Sequence, residues 1–308
     1  MARAVTLVES TRPDHRRDAE ALIEAVLPST GRATRIGISG PPGAGKSTFI
    51  ERFGLDGIAR GHRIAVLAVD PGSKRGGGAI LGDKTRMADL SRAPEAFIRP
   101  TSAGAQLGGV ARRTREAILV CEAAGFDTVL VETVGTGQSE TAVAEMVDMF
   151  MLILPPAAGD ELQGIKRGII ELADLILVNK ADGALAEHAE RTAAEYTNAM
   201  RLIRQMLPEW EVAVRAVSAV TGRGIETVWD DVARFRAALE ASGAWVKRRA
   251  EQARAALWAE IGDNLVERFR EAPAVAARLA TIEAEITAGS RTPAAAARIL
   301  MAAFLGEK

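Results

Sequence analysis

The sequence contains one cysteine, Cys121, and few aromatic residues among its 308 positions. A single cysteine cannot close an internal disulfide, and the sequence has no Cys-x-x-Cys pair or Cys/His cluster, which favours a reducing compartment. Phe, Tyr and Trp together make up only 4% of the residues, too few to indicate a base-stacking platform for nucleic acid. The 39 basic residues balance 40 acidic ones, so no excess of positive charge favours nucleic acid or an anionic membrane as a partner.

Long apolar runs are also missing. No stretch approaches the roughly 18 apolar residues that a membrane-spanning helix needs. The first 20 residues include acidic side chains and lack the apolar centre of a secretory signal, and they make a poor transit peptide. We therefore expect a cytoplasmic protein that binds neither a membrane nor nucleic acid.

From Arg35 onward, short apolar runs alternate with helical patterns. The runs cover 35–39, 63–70, 127–132, 149–154, 175–179 and 212–218, and each is apolar almost throughout, as strands covered on both faces must be. Helical patterns such as 109–124 and 161–174 lie between them and indicate β-α-β units. The sequence therefore predicts an α/β fold with a doubly wound, mostly parallel sheet.

Both ends of the chain have a helical pattern instead. One apolar helical face near the N-terminus carries Ala19, Leu22, Ile23, Val26 and Leu27 and is enough for one helix. Residues 244–270, 274–288 and 293–305 are rich in Ala, Arg, Glu and Leu, with breaks at Pro273, Gly289 and Pro293. We therefore divide the chain into an N-terminal helical arm (1–34), an α/β domain (35–242) and a helical C-terminal segment (243–308).

The most specific motif is GPPGAGKS at residues 40–47, which satisfies G-x-x-x-x-G-K-[ST] between a predicted strand and a predicted helix. Backbone N–H groups of such a loop and the following helix N-terminus can hold phosphate oxygens. Lys46 would reach the β- and γ-phosphates, and the Ser47 hydroxyl would bind Mg²⁺. A plain glycine turn before a helix is the alternative. The predicted phosphate-binding residues are Gly40, Pro41, Pro42, Gly43, Ala44, Gly45, Lys46, Ser47 and Thr48.

The stretch Asn179-Lys180-Ala181-Asp182 follows a predicted strand directly. The Asp182 carboxylate can accept two hydrogen bonds from guanine N1–H and N2–H₂, a donor pair that adenine lacks. Asn179 would brace the base and the loop, and the Lys180 stem would cover the ring. The alternative is an ordinary turn in which Asp182 caps a helix. A second base-contacting loop is expected at the end of the last predicted strand, at Val217, Ser218 and Ala219.

Acidic residues at or near strand ends are candidates for the metal site. Glu132 and Asp70 each end a predicted strand, and Asp83 lies within ILGDKTRM (80–87). Carboxylates of this kind, together with Ser47, suit a hard cation such as Mg²⁺. For Asp83, a helix N-cap is the alternative.

The segment after Glu132 is a candidate switch. Gly135 could present its N–H to the γ-phosphate. Thr136 follows it, where common regulatory GTPases have glutamine, so we expect slow hydrolysis until a partner completes the site. A second charged, glycine-containing stretch, 159–168, is either another switch or a solvated helix start capped by Asp160.

Several of these passages resemble the MeaB/ArgK family of P-loop GTPases, chaperones of adenosylcobalamin-dependent acyl-CoA mutases. The similar stretches are GPPGAGKST, LAVDPGS, ILGDKTRM, LGGVARRTRE, CEAAGFDTVLVETVGTGQSE, GDELQGIKRGI and NKAD, which lie between about residues 35 and 183. Two departures, Gly72-Ser73 for Ser-Ser and Ala79 for Ser, affect only the loop before Asp83.

The resemblance implies Mg²⁺-dependent hydrolysis of GTP to GDP and phosphate, with Lys46, Asp83, Glu132 and Lys166 in the catalytic set. It implies a homodimer formed by the C-terminal segment. It also implies that the partner is an adenosylcobalamin-dependent mutase, with methylmalonyl-CoA mutase as the leading candidate. The GTPase would gate cofactor loading into the mutase and protect the mutase from inactivation.

Two other classes remain as alternatives. A metal-insertion GTPase needs soft or imidazole ligands, yet His15, His62 and His188 are scattered along the sequence and Cys121 is alone. A small-molecule or protein kinase, the older interpretation of ArgK-like sequences, needs an acceptor site that the sequence does not suggest.

Overall fold

The computed structural model describes residues 1–10, 12–70, 87–102, 107–133, 139–156, 167–202 and 207–306. The chain divides into two compact units, Met1–Gln252 and Ala253–Lys308. The first unit contains the sheet and the helices around it, and the second unit is helical.

A parallel sheet forms the centre of the first unit. Its strands are β1 (Thr34–Ser39), β2 (Ile64–Asp70), β3 (Ala96–Ser102), β4 (Thr128–Thr133), β5 (Met149–Leu154), β6 (Leu175–Val178) and β7 (Ala213–Ala216). In the described residues the order is β3-β2-β4-β1-β5-β6-β7, and each adjacent pair is parallel. Every residue of β4, β5 and β6 is buried, which is why β5 and β6 are apolar throughout and the centre of β4 is Val-Leu-Val. The predicted α/β fold is confirmed.

Strand β3 is the element that the sequence pattern did not reveal. Its sequence, AFIRPTS, contains Pro100, which has no N–H to donate to a neighbouring strand. Because β3 lies at the edge of the sheet and pairs only with β2 among the described strands, the missing donor is tolerated there.

Helices cover both faces of the sheet in this unit. They are α1 (Ala2–Glu9), α2 (Pro13–Val26), α3 (Lys46–Ala59), α4 (Leu107–Ala123), α5 (Ser139–Ala144), α6 (Arg167–Glu171), α7 (Ala186–Met200), α8 (Ile225–Ser242) and the start of α9 (Ala244–Glu271). One core packs Phe49 and Phe53 of α3 and Phe235 of α8 against the sheet. The other core packs α1, α2 and α4 against the opposite face.

The N-terminal arm contains two helices where one was predicted. Helix α1 is short, and its buried residues are Val5 and Val8. Two buried positions in eight residues are too few for the helical period to stand out in the sequence.

The second unit contains the rest of α9, followed by α10 (Pro273–Thr287) and α11 (Pro293–Leu305). These bounds lie within a residue of the predicted ones, because a proline begins α10 and another begins α11. Val275, Ile282, Ala296 and Leu300 form the core of this unit. Gly243, in the left-handed region at φ 77°, separates α8 from α9. Across the described ranges, each helix is either too short or too polar to cross a bilayer.

Candidate functional site

The carboxyl ends of parallel strands meet at one edge of the sheet, and the predicted motifs follow those ends. The glycine-rich loop follows β1, Glu132 lies near the end of β4, the Asn179–Asp182 stretch follows β6, and the Val217–Ala219 stretch follows β7. This is where open α/β sheets bind their ligands.

The loop after β1 has three glycines with positive φ, and at two of them an added side chain would also meet a neighbour. Gly40 and Gly45 have φ angles of 148° and 88°, in the region that residues with a side chain rarely adopt. An added Cβ at Gly40 would overlap the carbonyl oxygen of Ile153, and one at Gly45 would lie 2.5 Å from Asn179 Nδ2. Helix α3 begins at the next residue, Lys46, so its N-terminal N–H groups face the loop.

Lys46 lies under this loop and is only 9% exposed. Its Nζ donates hydrogen bonds to the carbonyl oxygens of Gly40 at 2.7 Å and Pro41 at 3.2 Å. Burial lowers the pKa of Lys46, and the negative charges of Glu132 and Glu140 oppose that effect. A mostly buried ammonium group with a lowered pKa is stabilised by any anion that the loop binds.

Ser47 and Glu132 bring two hard oxygen ligands together beside Lys46. Ser47 Oγ donates a hydrogen bond to Glu132 Oε1 at 3.1 Å, and Glu132 is 7% exposed. In the next strand, Asp70 ends β2, which pairs with β4 through Ala68 opposite Glu132. Hydroxyl and carboxylate oxygens are the ligands that Mg²⁺ prefers, so Ser47 and Glu132 fit this ion.

Some predicted site residues cannot be placed. The description of Asp70 covers its backbone only, whereas Asp83, Gly135 and Lys166 lie outside the described residues.

Asn179 joins three loops of the site. Its Nδ2 donates to the Ala44 carbonyl at 2.9 Å, and its Oδ1 accepts from the Ala219 N–H at 3.0 Å. The residue is 2% exposed, so these hydrogen bonds are shielded from water. A single buried amide therefore ties the glycine-rich loop to the loops after β6 and β7.

Asp182 and Ser218 are also brought together. Ser218 Oγ donates to Asp182 Oδ1 at 2.6 Å and accepts from the Thr221 N–H at 3.1 Å. Asp182 stands at the N-cap position of the short 3₁₀ helix Gly183–Leu185, yet its side chain makes no capping hydrogen bond. The alternative in which Asp182 acts only as a cap therefore lacks the hydrogen bond that it requires.

One residue of this region was missed by sequence reasoning. Arg223 Nη1 donates to the Ala181 carbonyl at 3.2 Å, and its Nη2 contacts Glu190 of α7 at 2.6 Å. The Thr221–Gly224 stretch is recognisable in the sequence as a turn, but nothing in the turn indicates which carbonyl the arginine reaches.

Comparison with known proteins identifies the family. The family model described as "Methylmalonyl Co-A mutase-associated GTPase MeaB" matches residues 1–274. A Caulobacter vibrioides protein is 54% identical over 304 residues, covering 99% of this chain and 93% of the relative. The mitochondrial methylmalonic aciduria type A homolog of Mus musculus is 48% identical, covering 99% of this chain and 76% of the relative.

A solved structure described as an LAO/AO transport system kinase has a TM-score of 0.77 and 37% identity, covering 97% of this chain and 91% of that chain. The chain belongs to the MeaB family of methylmalonyl-CoA mutase-associated GTPases and is a GTP hydrolase.

Proposed function

We propose that this GTPase binds GTP with Mg²⁺ at the carboxyl edge of the sheet and acts as a switch on an adenosylcobalamin-dependent acyl-CoA mutase. The main observation in favour of this nucleotide site is the buried Asn179 amide, which joins the glycine-rich loop to the loops after β6 and β7. The mutase is proposed because the matching family model is described as mutase-associated.

The phosphates of GTP would lie over the glycine-rich loop. The Lys46 ammonium would exchange the Gly40 and Pro41 carbonyls for β- and γ-phosphate oxygens. That exchange replaces neutral acceptors with charged ones, which raises the pKa of Lys46 again. The N–H groups at the start of α3 add donors to the same oxygens.

Ser47 and Glu132 would hold the metal, with Asp70 and Asp83 as further candidate ligands. When bound, Mg²⁺ neutralises charge on the β- and γ-phosphate oxygens. Ser47 would turn its oxygen from Glu132 toward the ion, and Glu132 would bind either the ion or a water molecule beside it. Gly135 and Lys166 remain candidates for γ-phosphate contact and for activated hydrolysis.

Guanine would be recognised by Asp182. Ser218 donates to Oδ1, which fixes the carboxylate, and Oδ2 together with the second lone pair of Oδ1 remains for the purine edge. The guanine N1–H and N2–H₂ would both donate to this carboxylate, whereas adenine presents an acceptor at N1. The exposed Lys180 stem would cover one ring face, and Ala219 would line the pocket.

GTP hydrolysis would act on the mutase through shape rather than chemistry. The bound GTP and GDP states would differ in the segments around Gly135 and Lys166, and the mutase would distinguish the two states. Through that difference the protein would gate loading of adenosylcobalamin and protect the mutase from inactivation. The cofactor belongs to the mutase.

Turnover measurements test this proposal. Adding the cognate mutase should raise GTP turnover well above the basal rate, and Lys166→Ala should remove most of that increase while GTP affinity stays nearly unchanged. Equal turnover with and without every adenosylcobalamin-dependent mutase of the source organism contradicts the switch. Normal stimulation of Lys166→Ala contradicts only the role of that lysine.

The kinase alternative is favoured by one observation, the name of the solved structure at TM-score 0.77. The same assay with GTP labelled at the γ-phosphate separates the two. Label released as free phosphate supports the GTPase switch, and label recovered on a protein or small molecule supports the kinase.

The metal-insertion alternative is weaker, because burial raises the pKa of the Cys121 thiol to about 12 and leaves it a poor metal ligand.

We also propose that the C-terminal segment, 243–308, forms a homodimer. Within the second unit, one side of α9 exposes Leu257, Trp258, Ile261 and Leu265, a spacing that places them on a single helical face. Trp258 is 68% exposed, and a stripe of this kind marks an interaction surface. Trp258→Glu should give a monomer in light scattering, whereas Asp263→Ala, on the opposite side of the helix, should not. A Trp258→Glu variant that stays dimeric contradicts this interface.

A further inference from the structure

The residue before Asp182 is held at both ends of its backbone. The Ala181 N–H donates to the Val217 carbonyl at 3.0 Å, and the Ala181 carbonyl accepts from Arg223 Nη1 at 3.2 Å. The Ala181 carbonyl and the Asp182 N–H belong to one planar peptide group. The arginine therefore fixes the peptide plane from which the Asp182 side chain emerges.

This backbone needs support because of the residue before it. Lys180 has φ 64°, and among the described residues it is the only one other than glycine with a positive φ. A residue with a side chain pays a conformational cost in the left-handed region and stays there only when its surroundings hold it. Contacts on both sides hold this turn. Before Lys180, the Asn179 side chain binds the glycine-rich loop, and after it Ala181 binds the Val217 carbonyl and Arg223.

Arg223 is itself fixed by other contacts. Its Nη2 pairs with Glu190 of α7 at 2.6 Å, and its carbonyl accepts from the Ser218 N–H at 3.0 Å. Ser218 is the residue whose hydroxyl binds the Asp182 carboxylate. The side chain of Arg223 therefore holds the backbone next to Asp182. The main chain of Arg223 holds Ser218, whose hydroxyl orients the Asp182 carboxylate.

The ion pair alone would contribute little, since both side chains are about half exposed and such pairs are screened by water. The hydrogen bond to the Ala181 carbonyl has a different consequence, because it acts on the geometry of Asp182. Misplacing one carboxylate that must accept two hydrogen bonds from one base edge costs selectivity more than stability.

We propose that Arg223 is a positioning residue for guanine recognition, which holds the Ala181–Asp182 peptide so that the carboxylate meets both N1–H and N2–H₂. This inference rests on the proposed role of Asp182. A guanine base loses two aligned hydrogen bonds when the carboxylate shifts, whereas hypoxanthine, which lacks the 2-amino group, loses only one. Removal of Arg223 should therefore weaken GTP binding more than ITP binding.

The experiment compares the dissociation constants of GTP and ITP for Arg223→Ala, Arg223→Lys and the wild type. We expect Arg223→Ala to weaken GTP about tenfold and ITP about twofold, lowering the preference for GTP by about fivefold. KM for GTP should rise while kcat stays within about twofold, because phosphate contacts are unchanged. Arg223→Lys should restore part of the preference, since its single ammonium can reach either the carbonyl or Glu190. Arg191→Ala is the matched control, because Arg191 makes a comparable exposed pair with Glu187 on α7 at 2.8 Å.

An unchanged ratio of GTP to ITP affinity in Arg223→Ala overturns the proposal, whether both affinities fall together or neither falls. If that variant is unstable in a thermal melt, the same ratio measured for Arg223→Gln decides. Asp182→Asn, tested in parallel with GTP and XTP, separates the positioning role of Arg223 from the guanine contact of Asp182. If Asp182→Asn shifts base preference and Arg223→Ala does not, only the positioning role is wrong; if Asp182→Asn has no effect, the guanine site itself is wrong.

Discussion

Replacing Asn179 by alanine should weaken nucleotide binding strongly without changing which base is preferred. The substitution removes the hydrogen bonds to the Ala44 carbonyl at 2.9 Å and from the Ala219 N–H at 3.0 Å. It also removes a long one to the Gly45 carbonyl at 3.5 Å, but that carbonyl keeps the Phe49 N–H. The Ala44 carbonyl and the Ala219 N–H are then unpaired around the space left by the Asn179 side chain, which was 2% exposed. The glycine-rich loop would lose its attachment to the base loops.

The magnitude follows from the number of groups left without a partner. Each buried donor or acceptor left unsatisfied costs about 1–3 kcal/mol. Because the alanine leaves space that water can enter, we take the lower part of that range for the two groups, about 2–3 kcal/mol in total. If the cost appears in binding, the affinity for GTP and GDP should fall about 30- to 150-fold.

Calorimetric titration with GDP, GTP and ITP measures this effect directly. The three affinities should fall in the same proportion, since Asn179 joins the loops and does not read the base edge. Asn264→Ala is the matched control, because Asn264 is exposed on α9 and bonds only to Glu260, at 3.2 Å, among the contacts described for it. An Asn179→Ala protein that is folded and binds GDP within about threefold of the wild type would contradict this role of Asn179.

Other substitutions test the phosphate contacts, the base contact and a buried ion pair. Lys46→Ala should nearly abolish binding or turnover, and near wild-type calorimetry and kinetics would remove the phosphate assignment. Burial lowers the pKa of Lys46 and bound phosphate should raise it, so GTP binding at alkaline pH should take up protons. The affinity should fall as pH rises through the lowered pKa. Titrations in buffers of different ionisation enthalpy measure the uptake, and they should show none if Lys46 does not meet the phosphates. Asp182→Asn should admit xanthine nucleotides, since an amide can donate to the xanthine 2-carbonyl, and an unchanged preference for GTP over XTP would exclude Asp182 from the pocket. Arg249→Ala should destabilise the protein by about 3 kcal/mol in urea unfolding. The buried Asp148 carboxylate, 2% exposed, would keep the Arg35 N–H but lose the cation paired with it at 2.6 Å. A loss as small as that of the exposed control Arg12→Ala would show that the pair is not important for stability.

Local patterns in the sequence were sufficient to predict the sheet and the glycine-rich loop. Apolar runs predicted β1, β2 and β4–β7, because strands buried on both faces cannot contain many polar residues. Strand β3 was missed because Pro100 is tolerated at an edge that only the assembled sheet defines. Helix α1 was missed because Val5 and Val8 give too short a pattern.

The contacts within the site could be predicted only in part. The motif spacing indicated that Asn179 and Asp182 follow a strand, and the end of the last predicted strand indicated a second loop at Ser218. That Asn179 binds Ala44, 135 positions earlier in the chain, depends on the packing of β6 near β1 through β5. The contact of Arg223 with Ala181 was even less predictable, since it depends on the paths of the loops after β6 and β7 and on no local sequence pattern.

We propose that the nucleotide state of this protein is coupled to binding of an adenosylcobalamin-dependent mutase. The most direct measurement is the affinity of the mutase for the protein bound to GDP and for the protein bound to a non-hydrolysable GTP analogue. Coupling between two sites is reciprocal, so a mutase that changes the nucleotide affinities must itself bind the two states differently. We expect the two affinities to differ by about tenfold or more, within the usual range of such coupling. Equal affinities for the two states would contradict it.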